Sequence, residues 1–287
     1  MTHAASNHTR PPAPWATQLR PWNPLHDDGR AARLSRYLAE RDGRLAPVLP
    51  SARDCSADEL RIHHRLTSTI LAEGFPCVAA RSAINRKTYR LGIYDTLGSE
   101  DAALAICHDL YEFAHDMRED EDAFTTFVAV FRQPIDLGEV AFEALLWKQL
   151  QLMHSTDSRY FPWDASVSKD PEDPRFSFSI GGQAYFVVGS HPFASRLARV
   201  APLPCIAFNP HAQFEHLRAT GRYEKLQKAI RQRDMAFQGS INPVLANFGQ
   251  QAESRQYSGR MVTKQWKCPF QYQEAPEAPE TSKADAP

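Results

Sequence analysis

Gly181-Gly182 sits between two short apolar runs, Phe176–Ile180 and Ala184–Val188. Adjacent glycines supply the positive φ angles that a two-residue hairpin turn demands, so this stretch folds back on itself as an antiparallel pair. A third short apolar run, Pro204–Phe208, follows, and it stops at Asn209-Pro210. Further upstream, Phe124–Phe131 reads as a strongly apolar strand, and Cys77–Ile84 and Tyr89–Tyr94 as two strands joined by Asn85-Arg-Lys-Thr. The helical segments are Ala31–Glu40, Ser56–Ala72, Ser99–Met117, Leu137–His154 and a long amphipathic stretch from His211 to Gln232 or beyond. Ser56 with Glu59 three residues on is a capping box. Short connections and two hairpins predict an α+β fold: a single domain with a mixed, largely antiparallel β-sheet and helices packed on it. No Gly-x-Gly-x-x-Gly follows a strand and no phosphate-binding Gly-x-x-x-x-Gly-Lys-Ser/Thr occurs, so flavin or nicotinamide held by those devices is not indicated.

Three regions are expected: an extended Pro-rich arm over 1–24, a body over 25–272, and a disordered Pro/Glu-rich tail over 273–287. Trp15 and Trp22 lie in the arm, and they are read as docking on the body or on a second copy of the chain, which leaves a homodimer open. Lys plus Arg number 33 and Asp plus Glu 34, for a net charge of -1. That balance gives no reason to expect nucleic acid as a partner. No apolar run is long enough to span a bilayer, and Met1–Pro14 lacks the apolar core of a signal peptide. A cytoplasmic location is expected. Five scattered cysteines without Cys-x-x-Cys spacing argue against a zinc knuckle. Cys205 and Cys268 are read as packing residues, with Cys268 a distant second choice as a thiolate ligand.

Two histidines stand out because each follows an apolar strand beside a proline: His191 in Val187-Val-Gly-Ser-His-Pro192 and His211 in Phe208-Asn-Pro-His-Ala-Gln-Phe214. A neutral imidazole held at a strand end can bind a metal or a heme iron; a turn residue hydrogen-bonded to backbone has the same local look. The other histidines, among them His63, His64, His108, His115 and His154, sit in helical patterns and read as surface or structural.

Arg233-Asp-Met-Ala-Phe-Gln-Gly-Ser-Ile-Asn-Pro243, Arg255-Gln-Tyr-Ser-Gly-Arg260 and Trp266-Lys-Cys-Pro-Phe270 extend the series. Together with Phe75-Pro-Cys-Val-Ala-Ala-Arg81, these segments resemble the YqcI/YcgG family over roughly residues 60–270. That family includes heme-dependent N-hydroxylases of guanidine groups. The resemblance implies a heme-dependent monooxygenase with heme b as cofactor. The simplest substrate is free L-arginine, converted to Nω-hydroxy-L-arginine in a specialised-metabolite pathway. Its alternatives are a modified arginine or other amine, and a non-catalytic heme sensor or carrier using His191 and His211 together. Electrons would come from an external donor or from peroxide.

On this reading His211 is the axial ligand and His191 the alternative. Arg196 and Arg199, three apart, would face the heme propionates or simply form a solvated pair. Tyr257 and Arg260 are further candidates. A guanidinium needs a carboxylate, and Glu215, Asp234, Asp164, Asp170 and Asp173 all remain open for that role. The 160–175 segment is expected to form a long surface loop near the pocket.

Overall fold

Strand β4 (Thr126–Gln133) is buried along nearly its whole length, as a strand covered on both faces must be. Phe127, Ala129 and Phe131 point into one core, and Val128 and Val130 into another. The computed structural model describes residues 22–50, 52–117, 124–241 and 249–274. Strands β1 (Leu38–Arg41), β2 (Arg44–Pro47), β3 (Tyr89–Thr96), β5 (Phe178–Ile180), β6 (Gln183–Ser190) and β7 (Cys205–Pro210) complete one seven-stranded sheet in the order β2-β1-β3-β4-β7-β6-β5. Only β3 and β4 run parallel; the other neighbours are antiparallel. The parallel pair needs a crossover, which helix α4 (Glu100–Asp116) supplies.

Helix α4 and helix α5 (Glu139–Asp157) bury their apolar sides against the first face, in the larger core. Helix α2 (Ala57–Leu71) covers the second face with Ile62 and Leu66. The expected capping box is present: Ser56 Oγ accepts from Glu59 N–H, and the Glu59 carboxylate accepts from Ser56 N–H. At Gly92 in β3, a Cβ would lie 2.2 Å from the Tyr94 hydroxyl. The missing side chain leaves room for the Tyr94 side chain, whose hydroxyl donates to Asp109 Oδ2 at 2.7 Å. The fold class is α+β, as the patterning predicts.

Several expectations need correction. Cys77–Ile84 is not a strand. It forms helix α3 (Val78–Arg86), started by the Cys77 sulfur accepting from Ala80 N–H. Its Ala-rich composition favours helix, and Arg81 ties its start to the carbonyls of Leu71 and Ala72. The second hairpin lies elsewhere, at β1–β2, where Asp42 (φ 50°) and Gly43 (φ 78°) make the turn. The predicted helix over Ala31–Glu40 is correspondingly cut to α1 (Gly29–Leu34). The long helix from His211 is two helices, α6 (His211–Ala219) and α7 (Tyr223–Gln238), broken where Gly221 takes φ +66°. The Gly181-Gly182 hairpin stands as expected, with φ of 63° and 69°.

Trp22 stacks on His115 of α4, ring centroids 3.8 Å apart, so the end of the N-terminal arm docks on the body. Trp15, the rest of the arm through residue 21 and the tail from 275 lie outside the described residues. Among the described residues no helix is long and apolar enough to cross a membrane.

Candidate functional site

The register of β6 and β7 fixes where the two candidate histidines fall. Tyr185 pairs with Pro210 and Ser190 with Cys205. His211 follows Pro210 at one end of the pair, and His191 follows Ser190 at the other. At about 3.3 Å per residue their backbone positions are roughly 20 Å apart, farther than two imidazole side chains can bridge to one ion. They cannot grip one iron, so a two-histidine site within one chain is excluded.

His211 opens α6 directly from β7. Asn209 Nδ2 donates to Phe186 O at 3.0 Å, and Gln213 exchanges two hydrogen bonds with the Thr125 backbone. These bonds fix the junction. The ring is buried, and burial pushes its pKa down, against the pull of Glu215. The imidazole is therefore neutral near pH 7. Glu215, one turn on, places Oε1 3.1 Å from His211 Nε2, and the Arg218 guanidinium pairs with the same carboxylate. Asp164 arrives from the 160–175 loop and exerts its charge on His211. Its Oδ2 accepts from Ala184 N–H of β6 at 2.8 Å, and its Oδ1 from Ser166. Phe214 meets Phe186 edge-on, with centroids 6.1 Å apart.

His191 sits in tighter surroundings. Its ring stacks on Phe142, centroids 4.4 Å apart. Its backbone pairs with Arg199 O and Ala201 N. Gly189, two residues before it, has no room for a Cβ, which would lie 2.5 Å from Leu146 and 2.9 Å from Tyr257 O. Burial pushes the His191 pKa down, and Nδ1 is buried without a hydrogen-bond partner among the described residues.

The two arginines are occupied by the protein itself. They do not lie on an α-helix: Arg196 is extended, and Arg199 ends the single 3-10 turn Leu197–Arg199 that follows it. Arg196 pairs with Asp234 at 2.6 Å and also binds Ser240. Arg199 is half-buried and donates to the carbonyls of Gly189, Gln256 and Tyr257, and loss of solvent around it lowers its pKa to about 10. Neither is available to a propionate. Arg260 is paired with Glu143, which also accepts from Trp266 Nε1. Tyr257 is a core residue: its hydroxyl accepts from Phe178 N–H at 3.0 Å. Burial pushes the Cys268 thiol up to about 12, which fits packing and not thiolate ligation. Asp170 and Asp173 cap turns in their own loop.

Glu253, which nothing in the sequence marks, faces Tyr257 and Ser177 beside helix α8 (Ser254–Tyr257). Burial raises its pKa to about 8, against the lowering effect of Ser177, Arg218 and Tyr257. The folded protein therefore keeps this acid protonated through neutrality, whereas an unfolded chain ionises it near its ordinary value. Its stabilising contribution is full below about pH 4.5 and is lost as pH rises through about 8. Glu253→Gln is expected to be more stable than the parent at pH 9, by roughly 2–4 kcal/mol. Urea unfolding at pH 5 and pH 9 checks this: an equal difference at both pH values contradicts it.

The sequence profile of the YqcI/YcgG family matches residues 66–271. The chain belongs to that family. The YqcI/YcgG relatives include a protein from Bacillus subtilis (strain 168) named "Uncharacterized protein YcgG", 29% identical over 211 residues, which are 70% of this chain and 82% of that one. Another, from Streptomyces lavendulae, is named "Putative N(omega)-hydroxy-L-arginine synthase DcsA". It is 26% identical over 196 residues, 64% of this chain and 73% of its own. No solved structure matches. The YqcI/YcgG match includes both His191 and His211, together with Asp164, Glu215 and Glu253. It leaves out α1, β1, β2 and the start of α2.

Proposed function

We propose that the protein is a heme-dependent N-hydroxylase of a guanidine group, with free L-arginine as its simplest substrate and His211 as the axial ligand. The observation that carries this reading is the gathering of a buried neutral imidazole with two carboxylates, Asp164 and Glu215, where α6 begins. The name of the Streptomyces lavendulae relative points to the same substrate.

The donor set suits the cofactor. A ligand imidazole must be neutral, and burial keeps His211 so. Phe186 and Phe214 offer apolar surface for a porphyrin edge. Bound heme would supply the oxygen chemistry.

The chain's own residues do the rest. Glu215 already holds one guanidinium, that of Arg218, and its 3.1 Å contact with His211 Nε2 makes it the partner that orients the ligand imidazole. Asp164, fixed by Ala184 and Ser166, supplies a second acceptor at a defined position. Glu253 holds a proton in a buried carboxyl near neutral pH. Electrons would come from an external donor or from peroxide, and heme b is the form expected. His191 is the alternative ligand, with its orphaned Nδ1 in favour and its close packing against.

The test is incubation of hemin-loaded protein with arginine, a reductant and oxygen, followed by mass detection of a one-oxygen gain. His211→Ala is expected to lose the heme absorption band and the product while keeping its far-ultraviolet circular dichroism; His191→Ala is expected to retain the band. The reverse pattern moves the ligand to His191. A folded protein that takes up no hemin ends the proposal.

A further inference from the structure

We propose that His26, His108 and Glu112 bind a divalent transition metal of the zinc class and so fasten the N-terminal segment to α4. One ligand atom from each of the three lies within 4.8 Å of the others. His108 and Glu112 are four apart on α4, which puts both on one face of the helix. Both are buried, whereas His26 comes from the exposed turn before α1.

A buried carboxylate sets the orientation of His108. Its Nδ1 lies 2.9 Å from Asp109 Oδ1. Asp109 is wholly buried and is also approached by Ser35 Oγ, Arg36 N–H and the Tyr94 hydroxyl, all donors. The carboxylate is thus an acceptor on every side, so His108 Nδ1 donates to it and Nε2 is the ring nitrogen left facing away from Asp109. A carboxylate holding the far nitrogen of an imidazole is the arrangement that fixes metal-ligating histidines. Glu112 is steadied in the same way: Asn23 Nδ2 donates to its Oε1 at 2.8 Å and to His108 O at 3.2 Å.

His26 follows from a segment already clamped to α4. Trp22 stacks on His115, and Leu25 is buried in the main core. Two imidazoles and a carboxylate match the preference of zinc, with a fourth position for water. His26 lies outside the residues matched to the family, whereas His108 and Glu112 lie within them.

Untagged full-length protein, stripped with a chelator and dialysed against zinc, is expected to retain one zinc per chain when counted by elemental mass spectrometry. That readout is separate from heme iron and does not depend on the proposed activity. His26→Ala, an exposed substitution, and Glu112→Gln are each expected to weaken zinc binding at least tenfold. Zinc is expected to raise the melting temperature of the parent but not of His26→Ala. Less than one zinc on the parent, or parent-like binding by His26→Ala, overturns the proposal.

Discussion

Asp109→Ala is expected to destabilise the protein by about 3–5 kcal/mol, the cost of removing a buried ionic group from its partners. The side chain has no solvent exposure and receives four donors, from Ser35, Arg36, Tyr94 and His108. Alanine would strand all four in a space closed to water, and each orphaned buried donor carries its own penalty. The four come from three elements: the chain leaving α1, strand β3 and α4. Their loss loosens the N-terminal segment and the sheet together. Asp101→Ala supplies the contrast. Its pair with Arg30 is about half exposed on both sides, so a change of no more than about 1 kcal/mol is expected. Urea unfolding of both variants decides the matter, and near-equal losses would contradict the role assigned to Asp109.

The features that could be read from the sequence were those whose chemistry is local. Ser56 and Glu59 are three residues apart and cap one helix. Gly181 and Gly182 make a turn by their own backbone freedom. Asn209-Pro210 ends a strand and sets up His211. Where local signals conflict, the reading fails. Leu34 and Leu38 have helical spacing, yet the Asp42-Gly43 turn draws Leu38 into a hairpin. Val78–Arg86 is small and apolar enough for either state, and its cap is a cysteine, not a serine or aspartate.

The site follows the same division. His211 is visible because its junction is local, but its neighbour Asp164 reaches it through Ala184 on another strand. Glu253 looks like any acid until burial against Tyr257 and Ser177 changes its proton affinity. Arg196 and Arg199 are legible as cations. That Asp234 and three backbone carbonyls already claim them is a fact of tertiary structure.

Glu59→Ala is expected to cost a similar 3–5 kcal/mol at neutral pH, through a different mechanism. The carboxylate grips two guanidinium groups at once: Arg36 at 2.9 and 3.0 Å, and Arg53 at 2.8 and 2.9 Å. It also accepts from Ser56 N–H as part of the helix cap. Burial alone would raise its pKa, but the hydrogen bonds from Arg53, Ser56 and Arg36 outweigh it and hold the group at about 2. A depressed carboxylate stabilises the fold above its unfolded pKa, near 4.5, and loses that contribution as pH falls through about 2. The term is about 3 kcal/mol. Glu59→Gln keeps the shape without the charge, so its gap from the parent should shrink steadily as pH falls from about 4.5 toward 2. Arg36 gives the reason that both predictions are large. Its backbone N–H bonds Asp109 while its guanidinium bonds Glu59, so one residue ties α4 to α2 across the edge of the sheet. The double variant Asp109→Ala, Glu59→Ala should therefore lose less than the two single losses added together. Strict additivity in urea unfolding would show that Arg36 does not couple the two carboxylates.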